Sequence, residues 1–256
     1  EYNSCSSADG TKIHYLVALP NCKPTMCIVV GYGAYNIASP ISTRRWKPYL
    51  DSGCMIVFTF VRGGGDGDLK FWYSSRTVNK VRSCEDFEAC IYDVQKRYSI
   101  IPNQTCIYGR SAGGYLVGMA VSRNPSGKLF KMVYAEVPYV DVLRTTTNPH
   151  LPLTVLEYDE FGNPADGIYE FRTILDLSPV NIKESPDIFV LIRTSENDSQ
   201  VYPYESYKWL EALRKDKNDK TKLLYNTPKK GHFVNSSENF SEDFFLLKSF
   251  RDEQKG

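Results

Sequence analysis

The sequence predicts an α/β fold, one domain over residues 1–256 with a mainly parallel, twisted sheet and helices on both faces. Three observations predict it: short unbroken apolar runs, helical patterns alternating with them, and a glycine-flanked serine where one run gives way to a helix. A parallel strand covered on both faces is apolar at every position, whereas a half-wet strand alternates. The unbroken runs are 26–30 (Met-Cys-Ile-Val-Val), 55–60 (Met-Ile-Val-Phe-Thr-Phe), 105–108 (Thr-Cys-Ile-Tyr), 132–136, 188–193 (Ile-Phe-Val-Leu-Ile-Arg) and 222–225. The first strands, near 11–19, read as antiparallel and peripheral. Segment 83–98 opens with Ser83 and Asp86 in a cap-like position and spaces Phe87, Cys90, Ile91 and Val94 as one helical face. Segments 111–122, 204–215 and 240–250 also read as helices, and 215–222 as a solvated, charged loop. The sequence shows no repeat, low-complexity tract or long linker.

Composition narrows the function classes. A chain of 256 residues, 42% hydrophobic and 13% aromatic, has enough apolar material for a packed core. Lys and Arg number 31 against 30 for Asp and Glu, a net charge of +1, which gives no electrostatic attraction to nucleic acid or an anionic membrane. No apolar run approaches the roughly 20 residues that cross a bilayer. The first residues, Glu-Tyr-Asn-Ser-Cys-Ser-Ser, are not those of a signal peptide. The seven cysteines are an odd number, and Cys27 and Cys106 lie inside apolar runs, so reduced, buried thiols and a cytoplasmic protein are expected. Without a Cys-x-x-Cys pair and with three histidines, no metal site is expected.

Gly109-Arg110-Ser111-Ala112-Gly113 fits Gly-x-Ser-x-Gly between a strand and a helix. Small residues are needed there because a side chain beside the serine would crowd the strand or helix and bury the hydroxyl. Ser111 is thus the candidate nucleophile of an α/β-hydrolase fold. The amide of Ala112, at the helix start, would face a developing oxyanion. A glycine-rich helix start with an incidental serine is the plainer alternative.

A serine hydroxyl needs a base, and the base an orienting carboxylate; in this fold they follow as serine, acid, histidine. His14 precedes Ser111, and His150 reads as part of a surface turn. His232, after Gly231 and the last strand candidate, is the base. Asp198 lies just beyond the strand at 188–193, at the end where doubly wound sheets carry functional groups. Glu196 and Asp187 are the alternative acids, the latter at the wrong end of that strand.

Several motifs in order resemble the prolyl oligopeptidase family. They are Gly31-Tyr32-Gly33-Ala34-Tyr35, Arg62-Gly63-Gly64-Gly65, the Ser111 turn, Asp198-Ser-Gln-Val-x-Pro-Tyr-Glu-Ser-x-Lys and Gly231-His232. Val137-Pro138-Tyr139-Val140-Asp141-Val142, Leu151-Pro152-Leu153-Thr154 and Glu157-Tyr158-Asp159-Glu160-Phe161-Gly162-Asn163-Pro164 are similar to oligopeptidase B in particular. The resemblance spans about Asp9 to Phe250.

The resemblance implies a triad of Ser111, Asp198 and His232, with the Tyr32 hydroxyl as second oxyanion donor beside Ala112. It implies that Glu157 and Asp159 receive the basic side chain just before the cleaved bond, where paired carboxylates favour Arg and accept Lys. The function implied is a serine endopeptidase acting on short peptides after Arg or Lys, through an acyl-enzyme and without a cofactor. Three departures stand out. Asn36-Ile-Ala-Ser-Pro offers no acids for a second basic subsite, Gln200 replaces an expected arginine, and the glycines after Arg62 run one residue longer before Trp72. The resemblance also implies a β-propeller and an N-terminal segment; this chain starts where the propeller would end. The alternatives are an esterase or aminopeptidase of the same chemistry, and a non-catalytic interaction protein that keeps the fold.

Overall fold

The computed structural model describes every residue except 152, 217, 234–238 and 254–256, so Pro152 of the 151–154 motif and Lys217 of the charged loop lie outside the described residues. Strands β1 (Tyr2–Ser6), β2 (Lys12–Ala18), β3 (Met26–Gly31), β4 (Cys54–Phe60), β5 (Thr105–Arg110), β6 (Met132–Glu136), β7 (Phe189–Ser195) and β8 (Lys222–Thr227) form one sheet in the order β1-β2-β4-β3-β5-β6-β7-β8. Only the β1–β2 and β2–β4 pairings are antiparallel; the rest run parallel. The expected α/β-hydrolase architecture and its peripheral first hairpin are therefore present.

The unbroken apolar runs resolve into two interleaved sets, because successive strand side chains point to opposite faces. Cys27, Val29, Val57, Ile107, Val133 and Ile192 enter one core with Phe87 and Ile91 of α3 (Val81–Tyr98), Leu116 and Val117 of α4 (Ala112–Arg123) and Trp209 of α8 (Pro203–Leu213). Met26, Ile28, Ile56, Tyr108, Tyr134 and Leu191 enter the other, under Trp46 and Tyr49 of α1 (Thr43–Asp51) and Leu247 of α9 (Phe240–Glu253). Every residue of β3 and of β6 is buried, while β2 alternates, as one covered and one wetter face require. Five cysteines are buried, Cys5 is half-buried and Cys22 exposed, all unbridged. No helix among the described residues is long and apolar enough to cross a membrane.

One local expectation is corrected. Helix α3 starts at Val81, with no side-chain cap, and Ser83 and Asp86 lie within its buried first turns. Asp86 instead binds the Arg62 guanidinium at 2.7 Å, and Ser83 donates to the Arg62 carbonyl at 2.7 Å. The acidic stretch around Glu157, to which the sequence assigned no element, is helix α6 (Thr154–Phe161). Its inward positions are Thr154, Glu157, Glu160 and Phe161, so polar residues occupy the helical stripe that apolar periodicity would reveal. Pro48 inside α1 hides that helix in the same way, since proline ordinarily breaks a helical pattern. The helices α2 (Leu69–Tyr73), α5 (Val142–Thr146) and α7 (Ile168–Leu177) complete the set among the described residues, together with short 3-10 turns.

Candidate active site

Ser111 sits between β5 and α4 with φ 54° and ψ −120°, a conformation that L-residues avoid. Strain of this kind costs about 1–3 kcal/mol and persists only where its surroundings over-determine it. Here the Ser111 amide donates to the Glu136 carbonyl at 3.0 Å, and its own carbonyl accepts from Gly114 at 2.7 Å and Tyr139 at 3.1 Å. A Cβ on Gly109 would lie 2.0 Å from the Gly113 carbonyl oxygen, so the turn closes only because that position is glycine.

The acid and base arrive on the next strands' C-terminal loops. Asp198, beyond β7, accepts from the amides of Gln200 and Val201 at 2.9 Å each, and its other oxygen lies 2.7 Å from His232 Nδ1. Both residues are buried. Of the alternatives, Glu196 accepts from the Lys229 amide and Asp187 pairs with Lys131 at the opposite end of β7. His14 lies in β2, and His150 is exposed. Arg110, the last residue of β5, donates to the His232 carbonyl and lies 3.8 Å from the Glu136 carboxylate, which ties the serine's strand to the histidine's loop. Sequence reasoning gave Arg110 no role, because a variable position between two motif residues carries no signal of its own.

Ser111 and His232 line one cavity of about 530 Å³, together with Tyr32, Tyr139, Glu157 and Gln200. No hydrogen bond joins Ser111 Oγ to the imidazole among the described residues, and catalytic contacts of this type tighten when substrate binds. Tyr32 packs over the turn: a Cβ on Gly113 would lie 3.4 Å from its ring. Burial, with Glu157 and Glu160 adding to it, pushes the Tyr32 phenol up to about 12, so it remains a neutral donor at physiological pH. Ala112 is the first residue of α4, where amides have no partner within the helix.

Glu157 lines the cavity and accepts from the Tyr35 hydroxyl at 2.6 Å. Burial raises its carboxyl to about 7 with help from Glu160, against the lowering effects of Tyr35 and Lys80. Asp159 is exposed and does not line the cavity, which corrects the expected pairing of Glu157 with Asp159. Two residues along a helix turn by roughly 200°, so the two carboxylates leave α6 in nearly opposite directions. Glu160, one position further on, is buried but fully engaged by Lys80, the Tyr35 amide at 2.9 Å and Trp72 Nε1 at 2.7 Å. The second acid that lines the cavity is Glu205, from the first turn of α8. It accepts from the amides of Val140 and Asp141 at 2.8 Å each, and burial raises it to about 7. Glu205 and Tyr139 both stand within motifs quoted above, but only the fold turns them towards Ser111. Among the described residues, no three His, Cys, Asp or Glu side chains are grouped to hold a metal.

A strained serine at a strand-to-helix turn, above a mostly parallel eight-stranded sheet, defines the class: a serine hydrolase of the α/β type. The prolyl oligopeptidase family model matches residues 42–255, and the chain belongs to that family of serine peptidases. It is 33% identical over 233 residues to Protease 2 of Moraxella lacunata, covering 88% of this chain and 33% of that protein. It is likewise 33% identical over 202 residues to dipeptidyl aminopeptidase BI of Pseudoxanthomonas mexicana, covering 77% of this chain and 27% of that one. Oligopeptidase B from Trypanosoma brucei, solved in a closed form with covalently bound antipain, superposes with a TM-score of 0.86 at 30% identity, over 98% of this chain and 37% of its own. The chain thus spans 27 to 37% of the length of these relatives.

Proposed function

We propose that the chain hydrolyses short peptides after Arg or Lys through an acyl-enzyme. Ser111 attacks the carbonyl, His232 takes the proton on Nε2 and returns it to the leaving amine, and Asp198 holds the imidazole through Nδ1. The Ala112 amide and the Tyr32 hydroxyl receive the oxyanion, and the raised phenol keeps Tyr32 a donor throughout. Glu157 receives the basic side chain by a charge-assisted hydrogen bond. The observation that carries the reading is the shared cavity: a buried carboxylate, an Asp-paired histidine and a strained serine line one space. The likeness to oligopeptidase B supports the basic preference.

The test is hydrolysis of short fluorogenic peptides ending in Arg, Lys, Pro or Phe. Ser111→Ala should abolish turnover, and Glu157→Gln should remove the preference for Arg and Lys. A second reading, removal of N-terminal dipeptides, is favoured by the likeness to dipeptidyl aminopeptidase BI. Blocking the substrate's amino terminus separates the two, since only the second needs a free α-amine.

A further inference from the structure

The cavity contains a polar atom that the fold leaves unused. Tyr139 is 4% exposed and lines the cavity, and its hydroxyl has no hydrogen-bond partner among the described residues. A buried hydroxyl without a partner bears its desolvation cost uncompensated, and phenylalanine would fill the same space without that cost. The ring is fixed, with centroids 5.1 Å from Phe161 and 6.3 Å from Tyr115. So is the backbone: the Tyr139 amide donates to the Ser111 carbonyl, and Glu205 holds the amides of the next two residues. The hydroxyl is therefore set at a constant place relative to the nucleophile. Burial, and then the charges of Glu157 and Glu205, keep its proton in place.

We propose that the Tyr139 hydroxyl is a specificity-determining group that accepts a hydrogen bond from the guanidinium of a substrate arginine bound at Glu157. This rests on the reading of Glu157 as the acceptor of basic side chains. A guanidinium carries five N–H donors in a planar fork. One carboxylate engages two of them in parallel, which leaves donors pointing away from it. The phenol oxygen accepts one, through a lone pair that no group of the fold occupies. A lysine ammonium is a compact charge with three rotatable donors and no fork, so one carboxylate and a water satisfy it. Tyr139 thus separates arginine from lysine, and Glu157 separates basic from neutral.

The experiment compares Arg, Lys and norleucine immediately before the cleaved bond, in the wild-type chain, Tyr139→Phe and Glu157→Gln. Two readouts are used: kcat/KM, and the rate at which diphenyl phosphonates with the same side chains label Ser111. Tyr139→Phe should lower the Arg-to-Lys ratio about tenfold, the loss of one hydrogen bond to a charged group, without lowering Tm. An unchanged ratio in a chain that still prefers basic residues and loses that preference in Glu157→Gln overturns the Tyr139 proposal alone. A fall in Tm with Arg and Lys affected equally also overturns it, because the hydroxyl would then be structural. A wild-type chain that treats Arg, Lys and norleucine alike overturns the Glu157 reading, and the Tyr139 proposal with it.

Discussion

Glu157 is half-ionised near neutral pH, because burial raises its carboxyl to about 7. Only the ionised form attracts a cation, so the ratio of kcat/KM for an Arg substrate to that for a neutral one should fall as pH drops below about 7. Taking the ratio cancels the histidine's own titration, and Glu157→Gln should flatten it. The same shift has a stability consequence. A carboxyl raised above its ordinary value opposes folding once pH exceeds that value, so stability is lost as pH rises from about 4.5 towards 7. Melting curves should place Glu157→Gln above wild type at pH 8 and level with it at pH 4. Arg110 acts through another residue: Arg110→Met should lower kcat roughly tenfold with a smaller change in KM, since it loosens the loop that carries His232. At this scale the sequence was legible where chain order and spacing place residues together: Asp198 meets His232, and Ser111 shares a cavity with it. It was not legible where one residue in two along a helix decides the answer. Asp159 and Glu160 differ by a single position, and only the phase of α6 shows that neither gives Glu157 a free partner in the cavity.

Two elements support the catalytic turn, and each has a measurable cost when broken. In the β5–α4 turn, Gly109→Ala introduces a Cβ 2.0 Å from a backbone oxygen that cannot move without displacing Ser111. It should lose about 1–3 kcal/mol of stability by denaturant titration and most of the activity. Behind the Tyr32 loop, Arg62 binds Asp86, which is fully buried at the start of α3. Arg62→Leu leaves that carboxylate unpaired in the interior and should cost about 3–5 kcal/mol, also by denaturant titration. A cap-like reading of Ser83 and Asp86 was reasonable from sequence, because helix starts favour those residue types. The pair's true role depends on Arg62, 21 positions from Ser83 and 24 from Asp86. The strands were legible because a strand buried on both faces marks every position, whereas α1 and α6 were hidden by an internal proline and by a polar buried stripe.

Across the whole molecule, two cores share one sheet, and its parallel strands deliver the serine, acid and histidine from the ends of β5, β7 and β8. The serine's neighbour Arg110 and the histidine's carbonyl meet across 122 positions of sequence. Contacts so distant along a chain form late, because loop closure precedes any gain from them. During refolding from denaturant, far-UV circular dichroism should therefore recover before hydrolytic activity or phosphonate labelling of Ser111. The strand order also has a meaning for synthesis. In a growing chain the proposed nucleophile and its proposed base come together only once β8 has docked beside β7. The proposed nucleophile is thus without its proposed base for more than a hundred residues of its own synthesis.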